Sequence, residues 1–242
     1  MTDIKIPNPL IINGKYLTKY FEHFDCLFKN KEDLRVLLAL SGGSDSILLL
    51  YLLLRYFKGN KRVINIAHIN HNLRNDSFKD EAFVTKVGLE LEIKTYIRQL
   101  NPKLKSNDES TESWARKERY KLLSEILIES NSNFILTGHH KNDQAETILK
   151  NISEKTGLFG LGGMKSVNRN LIRPLLPFAK LEIMRIIDKY NIPYVDDSLN
   201  GELRFKRNFI RKKVLGPWVL DDNKVVDSIA ESGANFFEYQ QS

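Results

Sequence analysis

The most restrictive feature of the sequence is an apolar stretch broken once, by the polar segment Ser41-Gly42-Gly43-Ser44-Asp45-Ser46. The residues before this segment, Val36 to Leu40, are typical of a buried strand, and Ser46 to Phe57 is typical of a buried helix. Neither apolar part reaches the roughly 20 residues that a membrane span needs. The chain is therefore expected to carry a short glycine and serine loop between a central strand and a central helix.

The alternation of strand and helix continues along the chain. Further strands are predicted at Val63–Ile69, Ile93–Ile97 and Phe134–Thr137, and further helices at Ser77–Leu91, Thr111–Glu129 and Asp143–Ser153. Strands separated by single helices indicate a doubly wound, mostly parallel α/β sheet. An amphipathic helix over 15–29 precedes this pattern. Residues 157–177 are predicted to form loops that cover the sheet, before a helix over 179–190.

The chain has 242 residues, 42% of them hydrophobic, which is enough for the core of one large domain or of one domain with an appendage. We expect an α/β domain over 1–215, and over 216–242 a helical extension or the start of a further C-terminal region. The only cysteine is Cys26, and the first residues lack the apolar core of a secretory signal. A soluble, cytoplasmic protein without membrane partner, disulfides or cysteine-bound metal is expected.

Positive charge is concentrated in one segment. Residues 165–213 contain twelve Lys and Arg against five Asp and Glu, which gives +7, equal to the net charge of the whole chain. Charge alone favours a solvated surface over a phosphate-contacting one. Within this segment, Arg204 to Lys213 also interleaves cations with Phe205, Phe209 and Ile210, a pattern typical of an RNA-contacting helix.

The polar loop has the composition of an anion site. Its backbone N–H groups and the positive end of the following helix converge on one point, and its glycines allow close approach. Asp45 would repel phosphate oxygens unless a cation lay between them, so it predicts Mg²⁺ between the carboxylate and the β- and γ-phosphates of a nucleotide. The loop lacks the Gly-Lys-Ser ending of an ordinary P-loop. A helix cap would explain one of these residues, but not six in succession.

Two further polar groups follow predicted strands. His68 and His71 lie at the carboxyl end of the second strand, where open parallel sheets bind ligands, and are expected to line the nucleotide pocket. After the fourth strand, Asp143 and Glu146 are spaced to share one face of a helix. Such a pair can hold a cationic amine. The alternative is an acidic first turn that complements the helix dipole.

The strand followed by SGGSDS resembles the signature of the N-type ATP pyrophosphatases, which split ATP into AMP and pyrophosphate to adenylate a substrate carbonyl. Further motifs resemble one family among them, the tRNA(Ile)-lysidine synthases. These motifs are His68 to Arg74 with Ser77 and Glu81, Glu112 with Ala115-Arg116 and Arg119-Tyr120, His139 to Thr147, Gly157 to Met164, Arg173 to Leu175, Asp197 to Asn200 and Arg207 to Arg211. The resemblance implies an adenine nucleotide alpha hydrolase-like, Rossmann-like fold.

The resemblance also implies roles for individual residues. ATP would be bound by Ser41, Gly42, Gly43, Ser44, Asp45, Ser46 and His68, with Mg²⁺ on Asp45. Free L-lysine would be bound by Arg116, Arg119, Asp143 and Glu146. Catalysis would involve Asp45, His139 and Arg211. The tRNA would contact Asp197, Asn200, Arg207, Asn208 and Arg211.

The implied reaction ligates lysine to C2 of the wobble cytidine of tRNA(Ile) with a CAU anticodon. It would proceed through an adenylated tRNA and yield lysidine, AMP and pyrophosphate. The resemblance is compatible with a homodimer. Two positions depart from the family pattern, since Asn142 stands where an aspartate is usual and Leu199 where a small polar residue is usual.

Two other functions remain open on the sequence. A different enzyme on the same loop, such as a tRNA thiolase, a GMP synthetase or an NAD synthetase, would use another acceptor. The single cysteine opposes the thiolase, and we expect no glutamine-hydrolysing partner domain. A catalytically silent tRNA-binding module would not need Asp45, Asp143 and Glu146.

Overall fold

A computed structural model describes residues 5–239, apart from residues 15, 30, 32 and 197–205. The strands are β1 (Val36–Ala39), β2 (Ile64–Asn70), β3 (Thr95–Gln99), β4 (Phe134–Leu136), β5 (Val167–Asn168) and β6 (Leu171–Ile172). The helices are α1 (Tyr16–Phe28), α2 (Ser44–Tyr56), α3 (Ser77–Glu90), α4 (Thr111–Glu129), α5 (Lys141–Ser153), α6 (Leu158–Leu161), α7 (Lys180–Lys189), α8 (Lys206–Phe209), α9 (Gly216–Asp221) and α10 (Val225–Tyr239). A π-helical segment, Ile210–Leu215, joins α8 to α9.

The strands form one six-stranded sheet in the order β3-β2-β1-β4-β6-β5. All neighbouring strands are parallel except β5 and β6. After β1 the chain builds outward through β2 to β3, and then returns to place β4 on the other side of β1. Open parallel sheets bind ligands beyond the carboxyl ends of the strands at such a reversal. A ligand site is therefore expected beyond the carboxyl ends of β1 and β4.

The expected doubly wound, mostly parallel fold is confirmed, and helix α4 has the predicted bounds. The prediction that residues 157–177 form only covering loops is wrong at helix α6, Leu158–Leu161, and at 167–172. There β5 and β6 form an antiparallel hairpin, and β6 extends the sheet beside β4. Each of these strands has two residues, which is too short for an alternating pattern to be recognised.

Helix α2 lies at the centre of the larger core. All eight residues from Ile47 to Leu54 are buried, because α2 contacts β1 on one side and α1 and α7 on others. A helix that is apolar on every face needs such enclosure. Tyr20 of α1 stacks on Phe178 with a centroid separation of 4.0 Å, which closes the core next to α7.

The C-terminal helices attach to α5. Ala145 of α5 packs with Leu215, Val225 and Val226 in a separate small core. Helix α10 lies so close that a Cβ on Gly233 would be 2.5 Å from the side chain of Ile148. The division of the chain at residue 215 stays a prediction. Within the described ranges, no helix combines the length and the apolar character that crossing a bilayer requires.

The enclosure of α2 predicts the stability effect of a cavity in it. Leu49 is fully buried, whereas Leu89 at the end of α3 is 74% exposed. Leu49→Ala is expected to lower the free energy of unfolding by about 2–5 kcal/mol, through lost burial and an unfilled cavity. Urea unfolding measures this loss, with Leu89→Ala as the control that changes it by less than about 1 kcal/mol. Equal effects of the two substitutions would contradict the central position of α2.

Candidate active site

The loop between β1 and α2 is held by its own side chains. The Ser46 hydroxyl donates to the Gly43 carbonyl at 3.0 Å and accepts from the Ser41 N–H at 3.2 Å. Gly42 has a φ of +93°, which favours glycine, and its carbonyl accepts from the Val195 N–H at 2.9 Å. The loop therefore keeps its shape while the first turn of α2 presents N–H groups that a helix leaves unpaired.

The end of β4 lies directly against this first turn. A Cβ on Gly138 would be 3.0 Å from the Ser46 nitrogen and 3.1 Å from the Asp45 carbonyl carbon. Contacts of this length to backbone atoms are tighter than nine in ten real Cβ contacts, so a larger residue would require the first turn of α2 to shift by a few tenths of an ångström. The approach brings His140, two residues after Gly138, alongside the loop, with its Nε2 3.7 Å from Asp45 Oδ1.

Asp45 lies in the first turn of α2 and contacts two cationic or titratable side chains. Its Oδ1 accepts from Lys180 Nζ at 2.6 Å and lies 3.7 Å from His140 Nε2. The same Lys180 Nζ donates to the Ser44 hydroxyl at 2.7 Å. His140 Nε2 is also 3.5 Å from Asp143 Oδ2. His140 thus lies between the loop and the carboxylates of α5.

The two carboxylates predicted on one face of α5 do lie together, and arginines cover them. Arg211 donates from Nε to Glu146 Oε1 at 2.6 Å and from Nη2 to Glu146 Oε2 at 3.1 Å. Arg211 Nη2 and Arg207 Nη2 lie 3.4 and 3.5 Å from Asp143 Oδ1. Glu146 is only 1% exposed, so its charge depends on these partners. The pair is a cation-binding site that the protein's own guanidinium groups fill.

Burial and neighbouring charges shift the pKa values around this pair. Burial raises the pKa of Asp143, but the opposing effects of His140, His139, Arg207 and the His140 N–H are larger together. The pKa of Asp143 is therefore lowered to about 2. Burial lowers the pKa of His139, and although Asp143 opposes this, Arg119 reinforces it and the pKa falls to about 3. At neutral pH the site therefore holds an ionised Asp143 beside an uncharged His139.

The loop and the carboxylate pair face a single cavity of about 610 Å³. Its lining includes Ser41, Gly43, Ser44, Asp45, His140, Asp143, Glu146, Lys180 and Arg211. A smaller cavity of about 130 Å³ is lined by Ser41, Gly43 and Val195 together with His68, His71 and Arg74. Because three residues line both cavities, they adjoin at the loop. One ligand can extend from the second strand, past the loop, to the carboxylates.

The histidine of the second strand lines the smaller cavity. His68 Nδ1 lies 2.9 Å from the Leu40 carbonyl, and within the described part of the chain His68 Nε2 has no hydrogen-bond partner. Burial lowers the pKa of His68, although the Leu40 carbonyl and Glu81 oppose the shift. The predicted placement of His68 beside the loop is consistent with this geometry.

Other predicted residues do not line either cavity. Arg116 is exposed, and its guanidinium carbon lies 5.1 Å from the centre of the Tyr120 ring. Arg119 stacks at 5.1 Å on the same ring, and its buried Nε has no hydrogen-bond partner among the described residues. The His139 ring bonds Thr137 and does not line either cavity.

The tRNA-contacting positions are only partly described. Asn208 lies on α8, one turn before Arg211. Asp197, Leu199 and Asn200 lie outside the described residues, as do Arg204 and Phe205 of the interleaved basic tract. The described part of that tract is helical from Lys206 onward.

Sequence reasoning did not select Lys180 or His140. His140 was hidden by the neighbouring His139, because their order alone does not tell which ring faces the loop. The sequence did contain a signal for Lys180. A cation in the first turn of a helix is destabilised by the helix dipole, so an anionic partner elsewhere in the chain is expected. Asn142 also contributes, because its Oδ1 accepts from the Lys180 N–H at 2.9 Å.

The residues around Asp45 restrict how Mg²⁺ could be held. Among the described residues, no group of three or more His, Cys, Asp or Glu side chains is arranged to bind a metal ion. Mg²⁺ commonly takes one or two protein carboxylates and completes its shell with water and substrate phosphates. Asp45 at the mouth of an anion-binding loop fits this arrangement, and a metal ion caged only by protein does not fit.

The chain belongs to the PP-loop family, whose domain profile matches residues 17–217. Its curated relatives include the tRNA(Ile)-lysidine synthase of Thermosipho africanus, with 39% identity over 82% of this chain and 47% of the relative. The enzyme of the same name from Chlorobaculum tepidum is 38% identical over 74% of this chain and 55% of the relative. The chain thus spans about half the length of these relatives. The expected family resemblance is confirmed.

Solved structures support the fold. The U34-tRNA thiolase of Methanococcus maripaludis, with its 4Fe–4S cluster, superposes with a TM-score of 0.74 at 19% identity, over 92% of this chain and 79% of that chain. The NH3-dependent NAD synthetase of Campylobacter jejuni gives a TM-score of 0.56 at 16% identity, over 93% of each chain. At these identities the likeness concerns the fold alone.

The contact at Gly138 predicts a coupled loss of stability and nucleotide binding. In Gly138→Ala the added methyl must push the first turn of α2 away, which is expected to cost about 1–3 kcal/mol of unfolding free energy. The same displacement should weaken ATP binding, as measured by titration calorimetry. Gly157→Ala is the control, because a Cβ there meets nothing within 4 Å. Wild-type stability and affinity in Gly138→Ala would contradict the close packing.

The lowered pKa of His139 predicts a dependence of stability on pH. Below pH 6.5 the unfolded chain binds a proton at this histidine that the folded chain refuses until about pH 3, so stability falls as the pH falls. His139→Gln should reduce the slope of unfolding free energy between pH 6 and pH 4, by up to about 1.4 kcal/mol per pH unit. Urea unfolding of both proteins at several pH values tests this. Parallel curves would refute an uncharged, buried His139.

Proposed function

We propose that the protein is an ATP-dependent ligase that joins lysine to C2 of the wobble cytidine of tRNA(Ile) with a CAU anticodon, in the cytoplasm. The observation that carries this proposal is the single cavity shared by the anion-binding loop and the cation-binding pair Asp143 and Glu146. Similarity to tRNA(Ile)-lysidine synthases supplies the substrates. The loop end of the cavity suits a triphosphate, and the carboxylate end suits an amine.

In this proposal ATP occupies the loop of Ser41 to Ser46, with its adenosine toward His68. The N–H groups of the first turn of α2 and the loop hydroxyls bind the phosphates and leave the α-phosphate facing the larger cavity. Asp45 is the residue that would hold Mg²⁺, which when bound neutralises phosphate charge. The cytidine O2 attacks the α-phosphorus, the bond to the β-phosphate oxygen breaks, and pyrophosphate leaves.

Lysine is proposed to bind with its side-chain amine near Asp143 and Glu146. Since Arg211 already pairs with Glu146 at 2.6 Å, the incoming ammonium must displace that guanidinium. Arg119 is a suitable partner for the lysine carboxylate because its buried guanidinium lacks a hydrogen bond at Nε within the described residues. The amine nitrogen, once it has lost a proton, attacks C2. The C2–O bond breaks, and AMP departs with that oxygen.

The basic surface following the catalytic cavity is the proposed tRNA contact. Arg211 in the π-helical segment lines the cavity, Arg207 and Asn208 lie on α8 just before it, and Lys212 and Lys213 are exposed beside it. Such cations suit a phosphate backbone and should make binding sensitive to salt. In this proposal Arg211 contacts both the tRNA and the lysine site, because its guanidinium pairs with Glu146.

The first test is the release of AMP and pyrophosphate from Mg·ATP in the presence of lysine and tRNA(Ile) with a CAU anticodon. We expect turnover to require both lysine and the wobble cytidine. A tRNA with another base at that position is the control. Turnover that is indifferent to lysine would reject the ligase and leave another acceptor for the activated base.

The second test separates the lysine site from the ATP site. Glu146→Gln removes the charge that binds the amine, so the KM for lysine should rise by about 10-fold or more. Exchange of labelled pyrophosphate into ATP, measured with tRNA and without lysine, should remain within about threefold of wild type, because adenylation precedes lysine attack. Glu154→Gln, beyond the far end of α5, is the matched control. An unchanged KM in Glu146→Gln would contradict the assignment.

A further inference from the structure

Lys180 supplies a cation to the loop from outside it. Its Nζ lies 2.6 Å from Asp45 Oδ1 and 2.7 Å from the Ser44 hydroxyl, although 135 residues separate Lys180 from Asp45 in the chain. The loop itself contains no lysine or arginine. A loop that binds the phosphates of ATP without a basic residue of its own needs positive charge from another element.

The position of Lys180 is unfavourable for the helix that carries it. Lys180 is the first residue of α7, where the N–H groups carry partial positive charge, so a cation there is destabilising. Glu182, in the same turn, accepts the Ala179 N–H at 3.0 Å and pairs with Lys19, so it serves as a cap. The ammonium of Lys180 is therefore stabilised from outside α7, by groups of the loop.

The backbone of Lys180 is anchored, whereas its ammonium can turn. The Lys180 N–H donates to Asn142 Oδ1 at 2.9 Å, which ties the start of α7 to the start of α5. The side chain is 35% exposed and lines the larger cavity. An ammonium on a four-carbon chain has three donors and can exchange one oxygen partner for another without movement of the backbone.

We infer that Lys180 is a phosphate-binding residue for the triphosphate, and that it is held by Asp45 when no nucleotide is present. This inference rests on the proposed function, because it takes ATP as the ligand of the loop. The ammonium moves from the Asp45 carboxylate to oxygens of the β- and γ-phosphates. When the α-phosphorus bond to the β-phosphate oxygen breaks, its electron pair leaves with pyrophosphate, and Lys180 neutralises the charge that develops there.

A purely structural role is the alternative. Lys180 could serve only to neutralise Asp45, so that removing it would weaken ATP binding indirectly, by leaving an uncompensated carboxylate near the phosphates. The two roles differ when Asp45 carries no charge. In Asp45→Asn an indirect role disappears with the carboxylate, whereas a direct phosphate contact persists.

The experiment measures equilibrium binding of ATP, inorganic pyrophosphate and AMP in the presence of Mg²⁺ by titration calorimetry. Lys180→Met should weaken ATP and pyrophosphate by about 10- to 100-fold, the value of one charge-assisted hydrogen bond. AMP, which lacks the β- and γ-phosphates, should bind within about threefold of wild type. Lys189→Met, on the exposed last turn of the same helix, is the control for loss of one positive charge.

The double variant Asp45→Asn with Lys180→Met decides between the two roles. Weaker ATP binding by the double variant than by Asp45→Asn alone supports direct contact, and equal binding overturns it. Lys180→Arg keeps a cation and should bind pyrophosphate within about fivefold of wild type. This variant also tests the inference if Lys180→Met fails to fold, since a large loss in a folded Lys180→Arg protein would contradict a role as phosphate-binding cation.

The outcomes separate this inference from the proposed function. Failure of the wild-type protein to bind ATP would remove the proposed function and the inference together. Normal binding by the wild type with unchanged binding by Lys180→Met would remove only the inference. Equal losses for ATP and AMP would show that Lys180 shapes the loop and does not contact the β- and γ-phosphates.

Discussion

The close contact between Gly138 and the first turn of α2 is the constraint on which the site depends. Parallel strands β1 and β4 are neighbours, so their carboxyl ends meet, and a side chain at residue 138 would push the first turn of α2 away by a few tenths of an ångström. With glycine there, His140 reaches Asp45 at 3.7 Å. The anion-binding loop and the carboxylates of α5 consequently open into one cavity. The proposed chemistry needs this proximity, because a triphosphate and an amine must act on the same base.

Charge balance is the second organising feature. Three buried or half-buried carboxylates, Asp45, Asp143 and Glu146, are each matched by a cation that comes from a later part of the chain, Lys180, Arg207 or Arg211. Such carboxylates are costly to leave unpaired. Ligand binding can therefore proceed by exchange, in which an incoming cation or anion takes over a partner that the protein already uses. Exchange of this kind keeps the site neutralised at each stage and lets it remain structured without ligands.

The sequence predicted the parts of this arrangement that depend on local pattern. The apolar run on both sides of the loop requires enclosure, so β1 and α2 could be placed, and the spacing of Asp143 and Glu146 put both on one helical face. The contacts of Lys180 and Arg211 join residues 135 and 65 positions apart, and no local pattern encodes such pairings. The hairpin of β5 and β6 was missed because alternation identifies a strand only over about four to eight residues, and each of these strands has two. The motifs were sufficient to recognise the family. The direction in which each side chain points could be learned only from the three-dimensional structure.

The segment Ile210–Leu215 differs from the helices around it in its hydrogen bonding, which links each residue to the fifth one along. Residues five apart point about 140° away from each other on an α-helix, whereas the wider turn of a π-helix brings them closer to one face. Ile210 and Leu215 are both buried, while Lys212 and Lys213 stay in solvent. A helical wheel drawn with the usual period would misassign this face. Loss of a single residue here would shift the register, turning the Arg211 guanidinium around the helix axis relative to the apolar anchors on either side of it.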